Sequence, residues 1–121
     1  MTCILLVDDS ASVLRLLTFL FESERYDVMT ASDGAEGLQR IAERMPDVVI
    51  TDSVMPGMSG SELVRKLKAQ PSTRHIPVIM LTSSEAEPGD VPVDAAQLAA
   101  VLQKSADFTP LLNKVAEILR R

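Results

Sequence analysis

Three apolar runs, each closed by a polar side chain, constrain this chain most. They are Cys3-Ile4-Leu5-Leu6-Val7 before Asp8-Asp9, Val48-Val49-Ile50-Thr51 before Asp52, and Ile76 to Leu81 before Thr82. Strict alternation of apolar and polar residues is missing from the first two, so neither reads as a strand with one face in water. Continuous β-branched-rich runs of this length belong to strands covered on both faces. Helical patterns lie between them. Ser12 through Glu24 reads as a helix dense in Leu and Phe, with Asp9 or Ser10 as its N-cap. Asp27 to Ala31 is a shorter strand. Asp33 then caps a helix from Gly34 to Arg44, with Glu36 as capping-box partner and Leu38, Ile41 and Ala42 as its inner stripe.

Ser59 and Glu62 form a second capping box, opening a helix that ends near Gln70-Pro71. Thr109 as N-cap and Pro110 at the first helical position introduce a last helix, whose apolar face is Leu111, Leu112, Val115, Ile118 and Leu119. Ala99 to Gln103 fits helix or strand. From Ser83 to Leu98 the pattern weakens, because Pro88, Gly89 and Pro92 break any long helix. Strand–helix alternation with short links predicts an α/β fold, a doubly wound parallel sheet. Right-handed crossovers bring the ends of the first, third, fourth and fifth strands to one edge, where such sheets bind ligands.

Size and charge narrow the function. A chain of 121 residues is one domain with a single core's worth of apolar residues. Twelve basic against seventeen acidic residues give −5, which argues against binding nucleic acid. The apolar runs are too short to span a membrane, and a first strand starting at residue 3 leaves no room for a signal peptide. The lone Cys3 reads as a small buried hydrophobe, which favours a reducing, cytoplasmic setting. His75 has no ligand-spaced companion and reads as an exposed loop residue.

The predicted edge gathers Asp8, Asp9, Asp52, Thr82 and Lys104. Each has a bland reading alone: the aspartates as caps or turn formers, Thr82 as a strand end, Lys104 as a solvated lysine. Together they point elsewhere. Converging carboxylates repel unless a cation neutralises them, and magnesium suits such oxygen ligands. An ionised Asp can attack phosphorus, while a lysine and a hydroxyl stabilise phosphoryl oxygens. Asp52, Lys104 and Thr82 match these needs in type.

The motifs LLVDDS at 5–10, VVITDSVMPGMSG at 48–60, VIMLTSS at 78–84 and Lys104 make the whole chain, residues 1–121, resemble the receiver domain of bacterial response regulators, of the single-domain chemotaxis kind. Spacings of 43 residues from Asp9 to Asp52, 30 to Thr82 and 22 to Lys104 fit that pattern. The resemblance implies a flavodoxin-like five-stranded sheet of order 2-1-3-4-5. It implies that Asp52 takes a phosphoryl group from a phosphohistidine on a sensor histidine kinase or a histidine phosphotransfer protein. Magnesium would be held directly by Asp9, largely through water by Asp8, and by Asp52 and the backbone carbonyl of Val54. Thr82 would bond the phosphoryl group and Lys104 would pair with it. The implied output is protein–protein contact by a cytoplasmic monomer or weak dimer with no membrane span, and not an enzyme's product.

Departures accompany the match. Val101 stands where the family usually has an aromatic, Ser105 where proline usually follows the lysine, and a non-proline cis bond there would cost about 2.5–4 kcal/mol. The family's fourth helix falls on Glu85 to Ala96, with Pro88, Gly89 and Pro92, and is expected to be short or disrupted. These features support an alternative, a receiver-like interaction module that works without phosphorylation. A metal-dependent phosphatase is a third class, but no separate general acid or substrate pocket is visible for it.

Overall fold

Every residue of β1 (Cys3–Val7), β3 (Val48–Asp52) and β4 (Val78–Thr82) is buried, as continuous apolar runs require. The computed structural model describes residues 2–82, 97–104 and 107–120. The remaining elements are α1 (Ala11–Ser23), β2 (Asp27–Ala31), α2 (Gly34–Glu43), α3 (Gly60–Ala69), β5 (Ala100–Gln103) and α4 (Thr109–Leu119). All strands pair in parallel in the order β2-β1-β3-β4-β5, the expected flavodoxin-like topology, with four helices among the described residues. The expected disruption at Glu85 to Ala96 and the Lys104–Ser105 peptide lie outside the described residues.

Alternate residues of each central strand feed two cores. Leu5, Val7, Val49 and Met80 pack with Ile41, Leu63 and Leu67 on the α2–α3 side. Ile4, Leu6, Ile50 and Leu81 pack with Leu17, Phe21, Leu111 and Val115 on the α1–α4 side. Each such side chain contributes roughly 1.5–3 kcal/mol by leaving water. At the start of β1 the Cys3 N–H donates to Asp47 Oδ2 at 2.8 Å. β4 starts later than its apolar run, after Pro77, whose carbonyl still accepts from the Val49 N–H at 3.0 Å.

The ambiguous segment before Lys104 is a strand because the ladder runs past both its ends. The Ala99 N–H donates to Val78 O at 2.8 Å and the Lys104 N–H to Thr82 O at 2.7 Å. Ala100 and Leu102 turn inward, while Val101 and Gln103 face outward on this edge strand.

Three of the four helix starts carry the side-chain caps that their sequences require. Ser10 accepts from Val13 N, Asp33 Oδ1 from Glu36 N at 2.8 Å, and Ser59 Oγ from Glu62 N at 3.2 Å. The Asp33 box does not close reciprocally: the Glu36 carboxylate accepts from the Ser32 hydroxyl and pairs with Arg40. At α4 the expected cap is displaced by one residue. Phe108 is the N-cap without a side-chain bond, Thr109 is already helical, and Asp107 Oδ1 accepts from the Thr109 N–H at 2.9 Å. Ala42, assigned to the inner stripe of α2, is exposed, and Gly34 and Gly37 are buried there instead. The sheet comes so close that a Cβ on Gly37 would lie 3.2 Å from Val7 Cγ2.

These caps give a paired expectation. Asp33→Ala should cost about 1 kcal/mol, whereas Thr109→Ala should stay within about 0.5 kcal/mol. Urea midpoints at constant m-value measure both.

Candidate functional site

The functional side chains sit where the sheet's carboxyl ends stop. Asp8 continues past β1, its N–H donating to Ala31 O at 3.0 Å, and its Oδ1 accepts from the Ser10 N–H at 2.8 Å. Asp8 therefore does hold the chain entering α1, as a turn-forming aspartate would, but only with one oxygen. The other, Oδ2, is buried and lies 2.7 Å from Lys104 Nζ, an ion pair without hydrogen-bond alignment.

Asp52 ends β3 opposite Leu81, and the next N–H, of Ser53, donates to Leu81 O at 3.0 Å. Its Oδ1 faces the Val54 N–H at 3.4 Å, and its Oδ2 accepts from Lys104 Nζ at 3.1 Å. Lys104 follows β5 directly, so the same ladder bond that ends the strand aims its side chain across the edge. Thr82 is buried at the end of β4, beside Gln103 and bonded through its carbonyl to the Lys104 backbone. Asp9 is exposed at the rim. Ligand oxygens of Asp8, Asp9 and Asp52 all lie within 4.8 Å of one another.

Asp8, Asp9, Asp52 and Lys104 thus form one cluster, with Thr82 on the adjoining strand end. Val54 is 77% exposed and its N–H faces the cluster. Two neighbours escaped the sequence reading. The Thr51 hydroxyl donates to Asp52 O at 3.0 Å, and the Gly60 N–H donates to Ser53 O at 3.2 Å. Ser59-Gly60 looked like ordinary helix-start chemistry, and Thr51 like another strand residue.

Burial raises the Asp52 pKa above its ordinary value, and repulsion from Asp8 adds to this. The Lys104 hydrogen bond and charge, with the Val54 N–H, oppose the rise without cancelling it. For Lys104, burial alone would lower the pKa, but close contacts with Asp8 and Asp52 and attraction to both prevail, and it rises. Three carboxylates and one ammonium leave −3 + 1 = −2 at the edge. That is the charge a divalent cation neutralises. Two ligands opposite each other on magnesium stand about 4.2 Å apart, so a spread of up to 4.8 Å suits direct ligation by one or two carboxylates with water completing the set. Asp8 Oδ2, buried and lacking an aligned donor, suits the same ion.

The sign of the Asp52 shift sets a pH dependence. A carboxyl whose folded pKa is raised binds its proton more tightly folded than unfolded, so stability is lost as pH rises from the unfolded value near 3.8 through the raised one. In metal-free protein, Asp52→Asn should therefore be more stable than the parent at pH 7, by on the order of 1 kcal/mol. The gain should vanish well below pH 3.8 in thermal melts across pH.

The family described as the response regulator receiver domain matches residues 4–116. Response regulator PleD of Caulobacter vibrioides is 37% identical over 117 residues, which cover 97% of this chain and 26% of PleD. Protein PilH of Pseudomonas aeruginosa is 34% identical over 119 residues, 98% of each chain. Response regulator protein TrrA from Thermotoga maritima, solved in complex with Mg(2+)-BeF, has a TM-score of 0.85 at 29% identity, covering 98% of this chain and 99% of TrrA. The chain thus spans about a quarter of PleD and nearly the full length of PilH.

Proposed function

This chain belongs to the response regulator receiver-domain family, and we propose that Asp52 is the residue on which it accepts a phosphoryl group. It is a signalling module of two-component systems, not an enzyme with its own product, and the family implies a histidine kinase partner. The observation that carries the assignment is Lys104 Nζ, 2.7 Å from Asp8 Oδ2 and 3.1 Å from Asp52 Oδ2. The Lys104 ammonium, paired with Asp8 and Asp52, already occupies ground where phosphoryl oxygens would need a cation.

The donor is a phosphohistidine, on the kinase itself or on a histidine phosphotransfer protein. An Asp52 carboxylate oxygen attacks phosphorus and forms the new O–P bond. The bond from phosphorus to the histidine nitrogen breaks, and its electron pair returns to the imidazole. Lys104 moves its charge from the carboxylates to the phosphoryl oxygens, and the Thr82 hydroxyl donates to one of them. Asp9 directly, Asp8 through water, Asp52 and the Val54 carbonyl would hold magnesium, which would supply further positive charge to those oxygens. Mg(2+)-BeF in the TrrA complex supports this reading.

Residues 1–121 act as one receiver domain with protein contacts as its output, as a monomer or weak dimer and without nucleic acid, in keeping with a net charge of −5. No described helix is long and apolar enough to cross a membrane. A cytoplasmic setting accords with the single, buried Cys3. Val101, at the usual aromatic position, is 39% exposed. Output through a buried aromatic rotamer is therefore not this chain's route.

Acetyl phosphate with magnesium should label the parent protein, and Asp52→Asn should abolish labelling in intact-mass measurements. Persistent labelling of that variant would put the acceptor elsewhere. Magnesium should also raise the melting temperature, by the equivalent of about 2.7 kcal/mol at 100 times its dissociation constant. Asp9→Asn should shift that titration to much higher magnesium concentrations.

A further inference from the structure

We infer that Gly60 and Thr51 are positioning residues for the phosphoacceptor, holding the Asp52 main chain so that its carboxylate meets phosphorus in line. The inference rests on the reading of Asp52 given above. A Cβ on Gly60 would lie 2.1 Å from the Asp52 carbonyl oxygen, 3.1 Å from its carbonyl carbon and 3.1 Å from Ser53 Cα. All three are backbone atoms, so no rotamer change relieves the overlap.

The other described glycines differ from it. At Gly34 the atoms within 3 Å are Sδ, Cγ and Cβ of Met58, side-chain atoms all, and at Gly37 the nearest is Val7 Cγ2 at 3.2 Å. At Gly57 nothing lies within 4 Å, and its φ of +76° explains the glycine by itself. Among the described glycines, only at Gly60 does the missing side chain serve close approach of one backbone to another, and that backbone belongs to Asp52 and Ser53.

The same carbonyl accepts from the Thr51 hydroxyl at 3.0 Å, and Thr51 is fully buried. The next peptide is held as well: the Ser53 N–H donates to Leu81 O, and Ser53 O accepts from the Gly60 N–H. β4, the first residue of α3 and a buried hydroxyl therefore fix the Asp52 backbone from separate directions. Only two rotatable bonds, χ1 and χ2, separate that backbone from the attacking oxygen. In-line attack needs the reacting atoms about 3–3.5 Å apart and aligned, and a misplacement of about 1 Å can cost 10²-fold. Relieving a 2.1 Å contact to ordinary separation demands a shift of about that size.

The test is the time course of Asp52 labelling by acetyl phosphate at saturating magnesium, with rate and final stoichiometry read separately. Gly60→Ala should lower the maximal rate about 10- to 100-fold, with the KM for acetyl phosphate little changed and the folded fraction still labelled to completion. Leu67→Ala is the control: it loosens the buried packing of the same helix without touching the end of β3. It should lower the melting temperature but leave the rate per folded molecule at the parent value. Thr51→Val keeps shape and removes the hydroxyl, and should slow labelling a few-fold in a fully folded protein. A parental rate in Gly60→Ala overturns the inference. If Gly60→Ala does not fold, a parental rate in Thr51→Val overturns it. Equal rate losses in Gly60→Ala and Leu67→Ala also overturn it, since general loosening would then explain both. Failure of the parent protein to label at Asp52 would instead remove the phosphoacceptor reading and this inference with it.

Discussion

Excess negative charge, packed at the end of a buried sheet, is the constraint around which this structure is arranged. Asp8 and Asp52 are nearly inaccessible to water, Asp9 stands at the rim, and one ammonium from Lys104 bridges the two buried carboxylates. Burial disfavours charged carboxylates, and their mutual repulsion adds to that cost. The arrangement persists because the three central strands are otherwise mostly apolar and wholly covered, leaving the rest of the fold to offset one unfavourable corner. A divalent cation would make good the deficit of positive charge there, and with Lys104 it would offset the negative charge that a phosphoryl group brings.

The central strands were legible because strands buried on both faces carry few polar residues before their ends, so Asp8, Asp52 and Thr82 mark their own positions; the order 2-1-3-4-5 was implied by the resemblance to the receiver family. Caps were legible where a side chain makes the bond, as at Asp33 and Ser59. They were misread at α4, where Thr109-Pro110 has cap chemistry but Asp107 already serves the first N–H and Phe108 holds the cap position without a side-chain bond. β5 was ambiguous because Ala and Leu suit either state. Its identity comes from ladder bonds to Val78 and Thr82, distant in sequence. Gly60 and Thr51 fall inside the motif VVITDSVMPGMSG, but their hold on the Asp52 backbone left no signal, because a close approach of two backbone segments has no local pattern.

The two faces of β5 differ from those of the central strands. Ala100 and Leu102 complete the core shared with α1 and α4, while Val101 and Gln103 point outward. Lys104 follows them, tied through its N–H to Thr82 and through its ammonium to Asp52. Whatever alters the ammonium's partners therefore pulls on the end of the edge strand, which among the described residues has one neighbouring strand, β4, to resist it. The floor of the site, all of whose strand residues are buried, has far less freedom to respond.

A strand that is apolar on both faces has a problem that a half-exposed one lacks. Sliding β1 by one residue would exchange Leu5 and Val7 for Ile4 and Leu6 and still leave oily side chains in oily surroundings, so hydrophobicity hardly penalises the slip. Its alignment must be fixed by polar stops at the two ends. At one end the Asp47 carboxylate receives the Cys3 amide, and at the other Asp8 anchors Ser10 and meets Lys104. The acid that serves phosphate chemistry is thus also a ruler's end mark for the strand before it.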